Sequence, residues 1–269
     1  ALSMGIFSET GRTILFLGAL IVIAIVLLTL LRWIAFLTTF GRMSDIIDRV
    51  EHAATQSMAQ HAEHPFLGGL PWRDPPENAE PVTADSIGVV LSVDLNALNH
   101  AAQAAGTQIW VARRPGERVS ASSTLALTAE HVDGSTLSAI RGAFVIGSHR
   151  SYEQDPRIGL IALSEISSRA LSAGINDPGT AIEVFSAMHR VLSIAVTAGA
   201  PAAPRCENVY VAEITAADMV ADTFRPSARD GADTLEVMVR LQYEIGALIH
   251  VARGDWRHAL TAQATDAME

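Results

Sequence analysis

The stretch from Thr13 to Leu31, TILFLGALIVIAIVLLTLL, contains no ionisable side chain. At about 1.5 Å per residue a helix over this run covers roughly 28 Å, close to the roughly 30 Å hydrocarbon core of a bilayer. Backbone groups inside that core are satisfied only within a helix or a closed barrel, so the run is expected to cross a membrane as a helix. Arg32 and Trp33 follow it. A guanidinium that can snorkel beside an amphipathic indole marks the expected membrane interface. A signal peptide has a shorter apolar core and a small-residue cleavage site, and a soluble core helix of this length usually keeps a polar face; both fit less well.

The 269-residue chain leaves room for one sizeable domain after the span. Its net charge of -10 argues against a nucleic-acid partner, which calls for a basic face. Arg12 precedes the span while Arg32, Arg42 and Arg49 follow it. This bias places the C-terminal part in the cytoplasm. The one cysteine, Cys206, agrees with a reducing compartment and excludes cysteine-rich metal sites. The chain has no lysine, which removes lipoyl, biotinyl and Schiff-base attachment and the P-loop. It does not begin with Met, and a span so near its start is expected to be the last of several in a longer protein.

The expected organisation is a transmembrane helix over 1–41, an amphipathic stalk helix over 42–63, a Pro/Gly-rich linker over 64–84 and an α+β domain over 85–269. In the stalk, Phe36, Phe40, Met43, Ile47 and Val50 recur at helical spacing, and their stripe calls for a partner, with another subunit slightly favoured. His61 and His64 share a helical face, yet two imidazoles without a third ligand are a weak zinc signal. PFLGGLPWRDPPENAEP, from Pro65 to Pro81, reads as a tether. Strands are expected over 86–93, 107–112, 143–146 and 209–214. A type II turn at Arg114-Pro115-Gly116-Glu117 returns the second of these as a hairpin through Val119 and Leu125 to Leu127. Helices are expected over 95–105, 137–141, 216–224 and 234–252, with another from Asp255 onward.

Two further helices, each opened by Asp-Pro, form the most distinctive passage. Asp155 and Asp177 are placed as N-caps, with Pro156 and Pro178 at the first helical position, where a missing N–H costs nothing. Gly174 is expected to stop the first helix, Asn176 to sit in the turn, and Glu165 with Arg169 to form an i,i+4 pair. The residues from Glu153 to Thr180 are expected to gather around the two helix starts. Their functional reading is an anion site at helix N-termini; the carboxylate caps already fill that role, which favours a structural one.

Across Arg150 to Ala181 the chain resembles an uncharacterised bacterial membrane-protein family, domain of unknown function 2254. The match rests on Glu153-Gln154-Asp155, Gly159, Arg169-Ala170-Leu171-Ser172, Gly174-Ile175-Asn176-Asp177-Pro178 and Thr180-Ala181. It also fits Ser44 to Val50 and Pro115-Gly116. The family usually has Pro where this chain has Ala173, and further spans upstream. The resemblance implies an inner-membrane protein with a cytosolic domain and supplies no activity. No G-x-S-x-G or H-E-x-x-H motif is present, so the expectation is a non-enzymatic protein without cofactor or metal. It contacts membrane lipid and assembles as a homo-oligomer, with an ion or solute path as one form of that assembly. The alternative is an accessory or structural subunit of a larger membrane complex.

Overall fold

The computed structural model describes residues 9–39 and 43–267. The chain divides between Ile46 and Ile47 into two compact units. The first holds helix α1 (Glu9–Thr39), whose residues Thr13–Ile34 are long and apolar enough to cross a membrane. Leu15, Ile21, Leu28 and Trp33 are each more than half exposed. In water that exposure would be costly; in lipid it is the expected state of a spanning helix. Thr29 donates its hydroxyl to the Ile25 carbonyl at 2.7 Å, so it brings no unpaired polar group into the run. Arg32 is exposed too. The side chains of Phe36 and Phe40, the start of the expected stalk stripe, lie outside the described residues.

The second unit begins within α2 (Met43–Glu63) and is α+β. Its helical layer contains α5 (Pro156–Ala170), α6 (Pro178–Val196), α7 (Ala216–Gly231), α8 (Leu235–Val251) and α9 (Gly254–Asp266). Helix α6 also has the length and composition of a span, but more than half of it is buried in this layer, as befits a core helix. The remaining helices, α3 (Leu95–Ala105) and α4 (Gly134–Gly142), belong to the sheet layer.

A five-stranded sheet joins β1 (Leu70–Pro71), β8 (Val209–Val211), β4 (Ile109–Val111), β6 (Thr124–Thr128) and β2 (Glu80–Thr83) in that order. β1, β8 and β4 run parallel, while β4–β6 and β6–β2 are antiparallel. A second, antiparallel sheet orders β5 (Arg118–Val119), β3 (Gly88–Val93) and β7 (Phe144–Gly147). Val90, Leu98, Ile109, Leu125, Ile140 and Val209 form the core of this layer.

Several expectations change. The amphipathic face of α2 is covered by its own chain: Ile47, Ala54 and Met58 are buried with Phe185, Phe224 and Leu241 in one cluster, and Val50 packs against it. Arg190 of α6 donates to both Glu51 carboxylate oxygens at 2.5 and 2.7 Å. Ile47 and Val50 of the stripe therefore spend their apolar surface inside the domain, while Met43 stays exposed. The Pro/Gly-rich segment supplies β1 and β2. Trp110 donates Nε1–H to the Arg73 carbonyl at 2.8 Å, and the Arg73 guanidinium lies 4.3 Å from the Tyr210 ring centroid. Gly69 makes the β1 approach possible, because a Cβ there would stand 2.7 Å from the Val209 carbonyl oxygen.

The turn at 114–117 forms with Gly116 at φ +90° and Glu117 N–H donating to the Arg114 carbonyl, as type II geometry requires. It sends β5 to the second sheet, however, and only β6 returns beside β4. Helix α7 runs past Phe224 through Pro226. Thr223, Ser227, Ala228 and Gly231 remain buried beyond or beside the proline, and this packing outweighs the missing backbone bond.

Candidate functional site

Asp155 is 1% exposed and caps α5, accepting from Arg157 N–H at 3.1 Å and from Arg150 Nε–H at 2.6 Å. Pro156 is the first residue of that helix. The 114–117 turn presses on this cap so closely that a Cβ at Gly116 would meet the Asp155 carboxylate and, at 2.9 Å, the Arg150 guanidinium. Gln154 accepts from Val93 N–H at 2.9 Å and donates to the Val93 carbonyl at 3.4 Å, extending the pairing at the end of β3. Arg157 donates a bidentate pair of hydrogen bonds to Asp222 of α7 at 2.6 and 3.1 Å, and this bonding to the carboxylate raises the arginine's pKa. This half of the motif fastens sheet to helices.

The other half lies at the far end of α5, about 22 Å away for 15 residues. The two groups are not gathered, because α5 and α6 form a hairpin and each Asp-Pro opens at an opposite end of α5. Asn176, at φ 48°, is the left-handed residue of the turn; its N–H and that of Ile175 donate to the Ser172 carbonyl, and Asp177 N–H donates to the Ala170 carbonyl. Asp177 accepts from Thr180 N–H at 3.1 Å and from its hydroxyl at 2.6 Å. These bonds, the side-chain one first, hold the carboxyl below its usual range. Pro178 begins α6. Gly174 does not stop α5, which ends at Ala170 with Leu171 as its right-handed cap; a Cβ on Gly174 would meet nothing within 4 Å. Arg169 makes no ion pair with Glu165. Both are exposed, and holding two long side chains together in water gains little.

Two cavities adjoin the C-terminal end of α2. An open cleft of about 1050 Å³ is lined by Pro65, Ala195, Glu213, Arg253, Trp256 and His258 among others, and a smaller cavity of about 170 Å³ by Ser57, Gln60, His64, Glu153 and Pro156. His61 lines both. Burial, with the nearby Arg114 charge adding to it, pushes the His61 pKa down to about 4. Arg114 is itself 5% exposed, and burial lowers its pKa to about 10 against the pull of Glu117, Glu213 and Asp155. Its Nη2 donates to the Pro65 carbonyl at 3.3 Å, while Nε and Nη1 have no acceptor. Neither residue announces its burial in sequence: His61 ends a helix before a proline, and Arg114 occupies a turn.

Among the described residues no three His, Cys, Asp or Glu side chains are placed to hold a metal ion. The Cys206 thiol is buried and its pKa is pushed up, chiefly by desolvation and then by Asp94. A different kind of feature lies on α8: Leu235, Val239 and Tyr243, at i, i+4 and i+8, are 75%, 61% and 65% exposed. The opposite side of that helix carries Val237, Leu241, Ile245 and Leu248 into the core.

A family model described as a predicted membrane protein, domain of unknown function 2254, matches residues 2–245. Uncharacterized proteins of Mycobacterium bovis and of Mycobacterium tuberculosis strain H37Rv are each 31% identical over 134 residues, covering 47% of this chain and 26% of theirs. The matched stretch thus spans about a quarter of the length of these curated relatives. No solved structure matches the chain.

Proposed function

The chain belongs to this family of predicted membrane proteins, and on that premise we propose that it is a non-enzymatic, membrane-anchored protein that pairs with a second copy of itself. The observation that carries this reading is the exposed stripe of α8. Leu235, Val239 and Tyr243 span about 12 Å along one face. Laid antiparallel on a second copy about an axis near Val239, the stripe pairs Leu235 with Tyr243 and Val239 with itself. Arg240, which pairs with Glu244 of its own chain at 2.8 Å and lies over the Tyr243 ring, borders this self-complementary face. Anchoring by α1 raises the effective concentration of copies in the membrane. A non-enzymatic role agrees with the engagement of the motif carboxylates, since Asp155 and Asp177 each already accept two hydrogen bonds.

For location, the arginines after the span and the single cysteine support an inner membrane with the second unit cytoplasmic. Reporter fusions after Glu269 that are active only in the periplasm would reverse that orientation. A path for ions or solutes draws no support from Thr13 to Leu31, which offers no ionisable lining.

The pairing is tested with Val239→Cys in a Cys206→Ala background, oxidised in native membranes. A disulfide-linked dimer is expected, together with a dimer mass in mild detergent that Val239→Arg converts to monomer. Monomer in every case refutes the pairing. A mass containing other polypeptides at fixed ratio replaces it with the accessory-subunit role.

A further inference from the structure

The buried polar atoms at the end of α2 share one chemical character. Ser57, His61 and His64 fall at i, i+4 and i+7, so they face one side of the last two helical turns, and all three line the cavity of about 170 Å³. Ser57 Oγ, His61 Nδ1 and His64 Nδ1 are buried there without a hydrogen-bond partner, and Ser57 as a whole is 4% exposed. The Arg205 Nη2 stands 3.0 Å from His64 Nε2. A guanidinium only donates, so Nε2 accepts and the ring proton resides on Nδ1, which is left as a donor without an acceptor. The serine hydroxyl is a second donor. His61 is neutral at pH 7, kept so by burial first and by the nearby Arg114 charge second. Arg114 does not itself line the cavity and acts there through its charge alone. On the opposite wall the Gln154 amide is already bonded to Val93, and Glu153 is an exposed carboxylate.

Buried donors without acceptors are costly, and a site built from them is matched by a ligand that brings acceptors. The cavity has room for a group of a few non-hydrogen atoms. One buried arginine set against one rim carboxylate suits a singly charged anion better than a doubly charged one. We propose that this cavity binds the carboxylate of a small organic acid, with Ser57 and His64 donating to its oxygens and Arg114 supplying the favourable field.

The test uses the full chain in detergent and acetate as probe, at constant ionic strength set with chloride, reading the imidazole nitrogen resonances of His61 and His64 together with the melting temperature. Saturable shifts of both resonances and a rise in melting temperature are expected. Ser57→Ala, which leaves the fold's volume nearly unchanged, should weaken acetate binding at least threefold, and His64→Phe should abolish it. Resonances that move no more with acetate than with chloride would overturn the proposal and leave the cavity to solvent. Binding of inorganic phosphate but not acetate, or acetate binding unchanged in Ser57→Ala, would overturn it as well.

Discussion

Gly159→Ala decides whether α2 is seated on α5. In an isolated helix the substitution stabilises by about 1 kcal/mol, because alanine loses less backbone entropy than glycine. Here a Cβ on Gly159 would fall onto the Ala54 Cβ and stand 2.8 Å from the Ala54 Cα. Neither atom belongs to a flexible side-chain end, so one helix must move away from the other. Overpacking of this kind costs about 1–3 kcal/mol, and two rigid partners place it near the upper figure. Set against the propensity gain, the net loss is about 2 kcal/mol, or a fall of roughly 4–8 °C in melting temperature for a domain of this size. The assay is tryptophan fluorescence of the full chain during heating in detergent. Ala54→Gly in the same molecule reopens the space and should recover most of the loss, a coupling expected only of residues in contact. A raised or unchanged melting temperature in Gly159→Ala would refute the seating and return α2 to the free stalk that its sequence suggests.

Three further outcomes follow from the same geometry. Because the His61 pKa is about 4 in the folded protein and 6.5 unfolded, the unfolded state alone takes up a proton between these values; its stabilising share is complete above pH 6.5 and is lost as pH falls toward 4. At pH 5 the loss is about 2 kcal/mol relative to pH 7, and urea titrations of His61→Gln should show that part of the pH dependence removed. Asp155→Ala removes the buried carboxylate that both caps α5 and accepts from the quarter-exposed Arg150 and should cost about 2 kcal/mol, whereas Asp177→Ala, at an exposed cap, should shift the urea midpoint less; equal shifts would contradict the burial difference. Gly174→Ala should leave the midpoint nearly unchanged, since the left-handed position of the turn belongs to Asn176.

Local signals were readable where they act within a few residues. The type II turn at 114–117 and both Asp-Pro helix starts follow from local chemistry that reaches only to the next turn. Gly174 was misread because composition favours glycine at a helix stop, while the chain closes α5 without a left-handed residue and makes its reversal two residues later. The segment from Pro65 to Pro81 looked like a tether for a similar reason: its prolines forbid a helix, but its short strands are specified by partners at Val209, Tyr210 and Thr128, far along the chain. The fate of the α2 stripe was equally non-local, since an amphipathic pattern states that a face will be buried and not by what.

The same division bears on where function is to be sought. The most specific string in the chain, Gly174 to Thr180, is accounted for almost bond by bond by ending one helix and starting another: Ser172 and Ala170 carbonyls, the Asp177 carboxylate and the Thr180 hydroxyl are all engaged. Its neighbour from Glu153 to Arg157 is spent in the same way on Val93, Arg150 and Asp222. A motif whose polar groups are satisfied internally has little capacity left to recognise a ligand. Among the buried groups left unsatisfied are Ser57, His61, His64 and Arg114, which stand on a helix end and a turn and form no recognisable string. They are brought together only because α2 docks on the domain that the turn at 114–117 closes, so the same packing that Gly159→Ala disturbs also assembles the cavity. Loss of acetate binding in Gly159→Ala, with recovery in the Ala54→Gly double variant, would tie the two together.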